Sequence, residues 1–74
     1  MSETGELPWP GNEVDAYIKR TGHTFGLEHT MEDGYVVLEF DRHDVRIDQR
    51  VLGRFPDGVP ERLVVEAMKG LAGV

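Results

Sequence analysis

Two strand-forming stretches flank the dipeptide Asp33-Gly34, and this arrangement constrains the fold more than any other feature of the sequence. Asp-Gly between two such stretches is a strong hairpin signal, because a type I′ turn needs a positive φ at both central residues. The stretch 24–31 alternates larger side chains with small or polar ones, and the stretch 35–40 is mostly apolar. The sequence therefore predicts an antiparallel β-hairpin around this dipeptide.

A two-residue turn also predicts how the two strands align. The expected opposite pairs are Glu32 with Tyr35, Met31 with Val36, His29 with Leu38, and Leu27 with Phe40. This register collects apolar side chains on one face, and one face of a sheet is what a small core buries. We therefore expect a buried face made by Phe25, Leu27, His29, Met31, Val36, Leu38 and Phe40.

Helical spacing marks a segment on either side of the strands. Apolar or small side chains recur at intervals of three and four residues within 13–21, which predicts a first helix there. Pro60 suits the first turn of a second helix. The apolar face of that helix is formed by Leu63, Val64, Ala67, Met68 and Leu71.

The segment 42–54 has two interpretations. Its β-branched residues Val45, Ile47 and Val51 favour a third strand at about 44–51. Arginines at every fourth position from 42 to 54 are also compatible with a helix. The strand is preferred, and continuing the register with Phe40 opposite Val45 places Glu39 opposite Arg46.

These elements predict an α+β fold in the order α-β-β-β-α. The expected architecture is a two-layer α/β sandwich, in which two helices cover one face of a three-stranded antiparallel meander. Residues 12–74 are expected to form this single domain, and 1–11, rich in Gly and Pro, a flexible N-terminal tail. Trp9 in that tail is expected to fold back onto the core; an exposed anchor is the alternative.

The order and length of the elements resemble those of the double-stranded RNA-binding domain and of HicA-type toxins over residues 12–72. The first family implies lysines at the start of the second helix, where this chain has Pro60-Glu61-Arg62. The second implies Gly-Ser-His near the second strand, where this chain has Asp33-Gly34-Tyr35. The resemblance is therefore one of topology, and the functional residues of neither family are carried over.

The charge of the chain points to a basic partner. Fourteen acidic residues against eight basic ones give a net charge of −6, which disfavours binding to a phosphate backbone. In the expected register Glu28 lies opposite Glu39 on the solvent face, with Asp41 beside them. Like charges placed opposite each other destabilise a sheet, so this patch is interpreted as a protein-binding surface, to which Tyr35 and Asp48 are also assigned. A solubilising surface is the alternative.

Catalytic and metal-binding signatures are not found in the sequence. The chain has no cysteine, its single serine is Ser2, and it contains no glycine-rich phosphate loop. His23, His29 and His43 do not show the close spacing of a metal-binding motif. We therefore expect a protein that is not an enzyme and that has no metal site and no cofactor.

The expected function is that of a small acidic protein-binding module. It would dock on the basic nucleic-acid-binding surface of a larger protein, as an inhibitor of the anti-CRISPR or another phage type would. The alternative is a divergent RNA-binding domain that uses Arg46, Arg50 and Arg54. A cytoplasmic location is expected from the polar, acidic start and the short apolar runs, and a homodimer could form through an open sheet edge.

Overall fold

The structure, a computed structural model, describes residues 12–74. Its elements are α1 (Asn12–Thr21), β1 (Thr24–Thr30), β2 (Gly34–Phe40), β3 (Arg46–Gly53) and α2 (Glu61–Ala72). The predicted order α-β-β-β-α is confirmed. The expectations for the segment 1–11, including Trp9, lie outside the described residues.

Both helices form where the sequence predicts them. The helix α1 begins one residue before the expected 13–21 and ends with it. Pro60 occupies the N-cap position of α2, and Gly73 ends that helix with a φ of 78°. Only glycine adopts this left-handed conformation routinely, and the Gly73 N–H donates to the carbonyl oxygen of Lys69 at 3.0 Å.

The three strands form one antiparallel sheet in the order β1-β2-β3, so that β2 is central. We call the face that packs on the helices the inner face and the opposite one the outer face. The inner face supplies Val37, which is fully buried against Val64, Ala67 and Met68 of α2. Burying a Val or Met side chain contributes about 1.5–3 kcal/mol. Phe25, Leu27 and Leu52 pack around this cluster.

The third strand is confirmed, and the helical interpretation of 42–54 is wrong. It runs from Arg46 to Gly53, two residues later than expected. Side chains alternate along it, since Leu52 packs on the inner core while Val51 lies opposite the outer-face Val36. No helix within residues 12–74 is long and apolar enough to cross a membrane.

The predicted hairpin forms, but its register is displaced by three residues. Leu27 lies opposite Val37 instead of Phe40, and Thr30 lies opposite Gly34. Gly34 has a φ of 79°, whereas Asp33 is not among the residues with positive φ, so the two-residue type I′ turn cannot form. The turn spans 31–33 instead, and the Asp33 N–H donates to the Thr30 hydroxyl at 2.9 Å.

This displacement makes all four expected cross-strand pairs wrong and reassigns the faces. Because side chains alternate with a period of two, an odd displacement moves one strand's whole set to the other face. Val36, Leu38 and Phe40 therefore lie on the outer face, with the Phe40 ring 3.4 Å from where a Cβ at Gly26 would stand. Met31, expected in the core, is 89% exposed.

Candidate functional site

The expected pair of Glu28 and Glu39 does not form. Glu28 is exposed and lies opposite Val36 on the outer face, whereas Glu39 lies opposite Phe25 and is only 3% exposed. Asp41 lies in the turn after β2. The expectation that these three carboxylates share one solvent face is therefore wrong. The error arises from the displaced register of the hairpin.

Asp41 organises the turn between β2 and β3. Its Oδ1 accepts the backbone N–H of His43 at 2.8 Å and that of Val45 at 3.0 Å. The hydrogen bond from Val45 is the largest influence that lowers the pKa of the Asp41 carboxyl, and the one from His43 adds to it. Hydrogen bonding of this kind favours the charged form. The carboxylate that was expected to face a partner is thus engaged with its own backbone.

The remaining residues of the expected patch, Tyr35 and Asp48, are also dispersed. The half-buried Tyr35 ring lies 4.6 Å from the His29 ring and 6.4 Å from the Phe55 ring, centroid to centroid. Asp48 is exposed on β3 and lies opposite Glu39. Together with Glu28 and Asp41, these residues occupy both sheet faces and a turn.

The expected pair of Glu39 and Arg46 is wrong as well. Arg46 lies opposite Phe40, and the register shifts between Glu39 and Phe40 because β3 carries an extra residue there. Such a bulge reorients the side chains that follow it. Glu39 lies opposite Asp48, which is also acidic.

Glu39 is the buried centre of a polar cluster that joins α1 to the sheet. Its Oε2 accepts a hydrogen bond from the Tyr17 hydroxyl and lies 2.8 Å from His23 Nδ1. The Tyr17 hydroxyl is also 3.2 Å from that nitrogen. A buried carboxylate is costly unless it is hydrogen-bonded, and these two partners meet that requirement.

The end of α1 places His23 in this cluster. The Thr21 hydroxyl donates to the Tyr17 carbonyl oxygen at 2.8 Å and accepts the His23 N–H at 3.1 Å. Gly22, with a φ of 77°, turns the chain from the helix towards β1. The residues of the cluster are therefore positioned by a helix terminus and by the central strand.

Tyr17 has a raised pKa. The hydrogen bond to Glu39 is the main cause, followed by burial and by the negative charge of Glu39, and together they raise the pKa of the phenol from 10.0 to about 12. If the Tyr17 hydroxyl lost its proton, two negatively charged oxygens, those of Tyr17 and Glu39, would face each other without a hydrogen bond. The cluster therefore holds its proton well into the alkaline range.

We expect Tyr17 in the Tyr35→Phe variant to ionise near pH 12 and not near 10, as measured by tyrosinate absorbance. Because the pKa is higher in the folded state, the stabilisation is complete below pH 10, the unfolded value, and is lost as pH rises towards 12. In the Tyr17→Phe variant, the free energy of unfolding measured by urea titration should not show this decrease between pH 10 and about 12. Ionisation of the folded protein near pH 10 would contradict the assignment.

The turn between β1 and β2, residues 31–33, is a second prominent feature, which we call the hairpin tip. Met31 is 89% exposed, and the adjacent Glu32 and Asp33 are exposed as well. Arg54, which follows β3, anchors the tip, since its Nη2 donates to the Glu32 carbonyl oxygen at 2.7 Å. The tip therefore presents one apolar side chain and two carboxylates on an anchored turn.

The arginines considered for RNA binding do not form one stripe. Arg46 lies opposite the outer-face Phe40. The Arg50 guanidinium lies against α2, with Nη1 2.6 Å from where a Cβ at Gly70 would stand. Arg54 is occupied beneath the hairpin tip. The three cations thus lie in three different surroundings.

Within residues 12–74 there is no group of three or more His, Asp or Glu side chains that could hold a metal ion. No pocket opens in this part of the chain. Two exposed surfaces are the candidate sites: the hairpin tip and the edge strand β3.

Comparisons of the chain with protein-family models, with curated proteins and with solved structures found no match.

Sequence reasoning missed both the buried cluster and the hairpin tip. A signal for the cluster existed, since Glu39 is the one charged residue in the stretch 35–40 and that stretch was expected to be the central strand. A charge in a central strand is either buried with partners or points to the open face. For the hairpin tip no signal existed, because the two-residue turn assigned Met31 to the core.

Proposed function

We propose that this protein is a cytoplasmic, non-catalytic module that binds a larger protein through its hairpin tip. The observation that carries the proposal is the 89% exposure of Met31 between strands whose other large side chains are mostly packed. An exposed apolar side chain on an anchored turn can enter a pocket without rearrangement of the sheet. Methionine suits this role because its flexible, polarisable side chain adapts to the shape of a pocket.

The charges beside Met31 indicate which kind of surface fits the tip. Glu32 and Asp33 are exposed, and the whole chain carries a net charge of −6. A basic partner surface would attract this end of the molecule, which raises the association rate. Burial of Met31 would then contribute about 1.5–3 kcal/mol and slow dissociation.

Basic surfaces that are exposed in the cell commonly serve to bind phosphate backbones. We propose that the partner is such a protein and that occupancy of its basic surface excludes nucleic acid. The protein would then act as an inhibitor of the anti-CRISPR or another phage type. The small size of the protein, its net charge of −6 and the composition of the hairpin tip support this extension.

The test compares two variants with the same change in charge. Glu32→Lys/Asp33→Lys reverses the tip, and Asp57→Lys/Glu66→Lys reverses two exposed carboxylates elsewhere. Each immobilised protein is used to capture partners from an extract of the source cells, and captured proteins are quantified by mass spectrometry. We expect a protein retained by the wild type and by the second variant to be lost from the first by about tenfold or more.

The captured protein is then purified and titrated with the wild type and with Met31→Ser. We expect Met31→Ser to weaken binding by about tenfold or more, which corresponds to 1.4 kcal/mol, and duplex DNA or RNA to compete with the wild type. Equal capture by both charge variants, or unchanged affinity of Met31→Ser, would contradict the proposed binding surface. Direct binding of duplex RNA by the protein alone would favour the RNA-binding alternative.

A further inference from the structure

The strand β3 forms one edge of the sheet and is unusually open. Six consecutive residues from Arg46 to Val51 are exposed. Within residues 12–74, no strand pairs with the edge of β3 that faces away from β2. Two of them are large apolar residues, Ile47 at 48% exposure and Val51 at 50%. An edge of this kind is a template for another strand.

The backbone of this edge points outward at alternate residues. The Gln49 N–H donates to the Asp48 carboxylate at 2.8 Å, as is typical of a residue whose backbone faces away from the neighbouring strand. Donors and acceptors of one residue in an antiparallel strand point to the same side, and the next residue but one repeats this direction. Residues 49 and 51, which follow the bulge at residue 47, therefore direct their N–H and C=O groups away from the sheet.

We propose that a second copy of this chain pairs with this edge, β3 against β3, to form a six-stranded antiparallel sheet. When a two-fold axis relates two identical strands, the numbers of any two opposite residues add up to the same sum. That sum must be even, because opposite side chains share a face of the sheet, so one residue always lies opposite its own copy. We infer the register with Gln49 opposite Gln49 of the second copy. It places the outward-directed N–H and C=O groups of Gln49 opposite those of Gln49 in the second copy.

Side-chain charges select this register over its neighbours. It places Asp48 opposite Arg50 of the second copy, twice by symmetry, and Ile47 opposite Val51. A register centred on Asp48 or Arg50 places that residue opposite the same charge in the second copy, which destabilises a sheet. A register centred on Ile47 pairs few residues, because β3 begins at Arg46. The register centred on Gln49 is therefore the complementary one.

The surroundings of Asp48 add a further reason. Asp48 lies opposite the Glu39 carboxylate across β2 and β3, and it is not a member of any ion pair within residues 12–74. Arg50 of the second copy would bring a cation to this like-charged pair. The Asp48 carboxylate would then release the Gln49 N–H, which would bond to the carbonyl oxygen of Gln49 in the second copy.

A charge swap tests the proposal by sedimentation velocity over a range of concentrations. The wild type should approach twice the monomer mass, and Asp48→Arg and Arg50→Asp should each raise the dimer dissociation constant by about tenfold or more, because each places like charges opposite each other. An equimolar mixture of these two variants should form heterodimers, since every opposite pair is then Arg with Asp. Circular dichroism verifies that each variant is folded.

A cysteine variant tests the register with both charges intact. The chain has no cysteine, so Gln49→Cys introduces a single thiol on the two-fold axis. Opposite Cα atoms in a hydrogen-bonded antiparallel pair are about 5.5 Å apart, within the range that a disulfide spans. Mild oxidation should cross-link this variant. Val51→Cys is the control, because its symmetry mate lies four residues away along the strand, at about 14 Å.

A wild type that stays monomeric at millimolar concentration would overturn the proposal. So would single charge variants that dimerise as the wild type does, a mixture without heterodimers, or equal cross-linking at 49 and 51. If a charge variant does not fold, the cysteine pair decides the question. The hairpin tip takes no part in this interface, so neither result affects the proposed function.

Discussion

Gly34→Ala is expected to destabilise the protein by about 3 kcal/mol or more. Gly34 has a φ of 79°, a conformation that costs an L-residue about 1–2 kcal/mol. A Cβ there would lie 2.3 Å from the Gly53 carbonyl oxygen, so β2 and β3 would have to separate. Domains of this size have a total stability of roughly 5 kcal/mol, and the variant should be largely unfolded in modest urea.

Gly58→Ala is the matched control for this substitution. Gly58 has a φ of 98°, but nothing lies within 4 Å of the position of its Cβ. Its substitution should cost about 1–2 kcal/mol through backbone conformation alone. Urea unfolding followed by circular dichroism measures both variants. Equal loss in the two would show that the close approach of Gly34 to Gly53 is unimportant.

Removal of the Glu39 carboxylate is expected to have a comparable effect. Glu39→Ala would leave the Tyr17 hydroxyl and His23 Nδ1 without their shared acceptor. Loss of the acceptor of such hydrogen bonds costs about 1–3 kcal/mol. The free energy of unfolding in urea should fall by that amount, whereas Glu66→Ala, on the exposed side of α2, should change it by less than about 0.5 kcal/mol.

A double-mutant cycle isolates the contact between Tyr17 and Glu39. If the two side chains act through their hydrogen bond, Tyr17→Phe should cost less in the Glu39→Ala background than in the wild type. The difference between the two costs measures the coupling. Strictly additive effects would mean that Glu39 stabilises the sheet without Tyr17.

The elements of the fold were predictable because each has its own local signal. The helix α2 combines Pro60 at its start, a stripe of apolar side chains and Gly73 at its end. The strand β3 was recognisable from its β-branched residues, even though its arginines fit a helical period. These signals depend on neighbours along the chain, which is why they can be read without the tertiary structure.

The register of the hairpin was not predictable in the same way. Asp33-Gly34 favours a two-residue turn, but Gly34 lies outside the turn, at the start of β2. Gly34 is needed where β2 approaches β3 closely, next to the Gly53 carbonyl oxygen, and this contact is not local. Turn chemistry and side-chain alternation agreed on the expected register, yet the strands adopt another one, in which Gly34 lies against the third strand.

The candidate site depended on that register. Glu39 was expected on the solvent face and is buried under α1, and Met31 was expected in the core and is exposed. The five residues of the expected patch lie on two faces and a turn. The acidic character of the chain was evident from composition, but the place where it meets a partner was not.

The sequence by itself determined the order of the helices and strands, the two-layer architecture and the acidic charge. These properties follow from local propensity, periodicity and composition. Only the tertiary structure decided which face of β2 turns inward, because that strand is apolar on both faces: Val36 is 4% exposed, Val37 0% and Leu38 7%. Alternation cannot choose between two apolar faces, and packing against the helices and against Gly53 makes that choice.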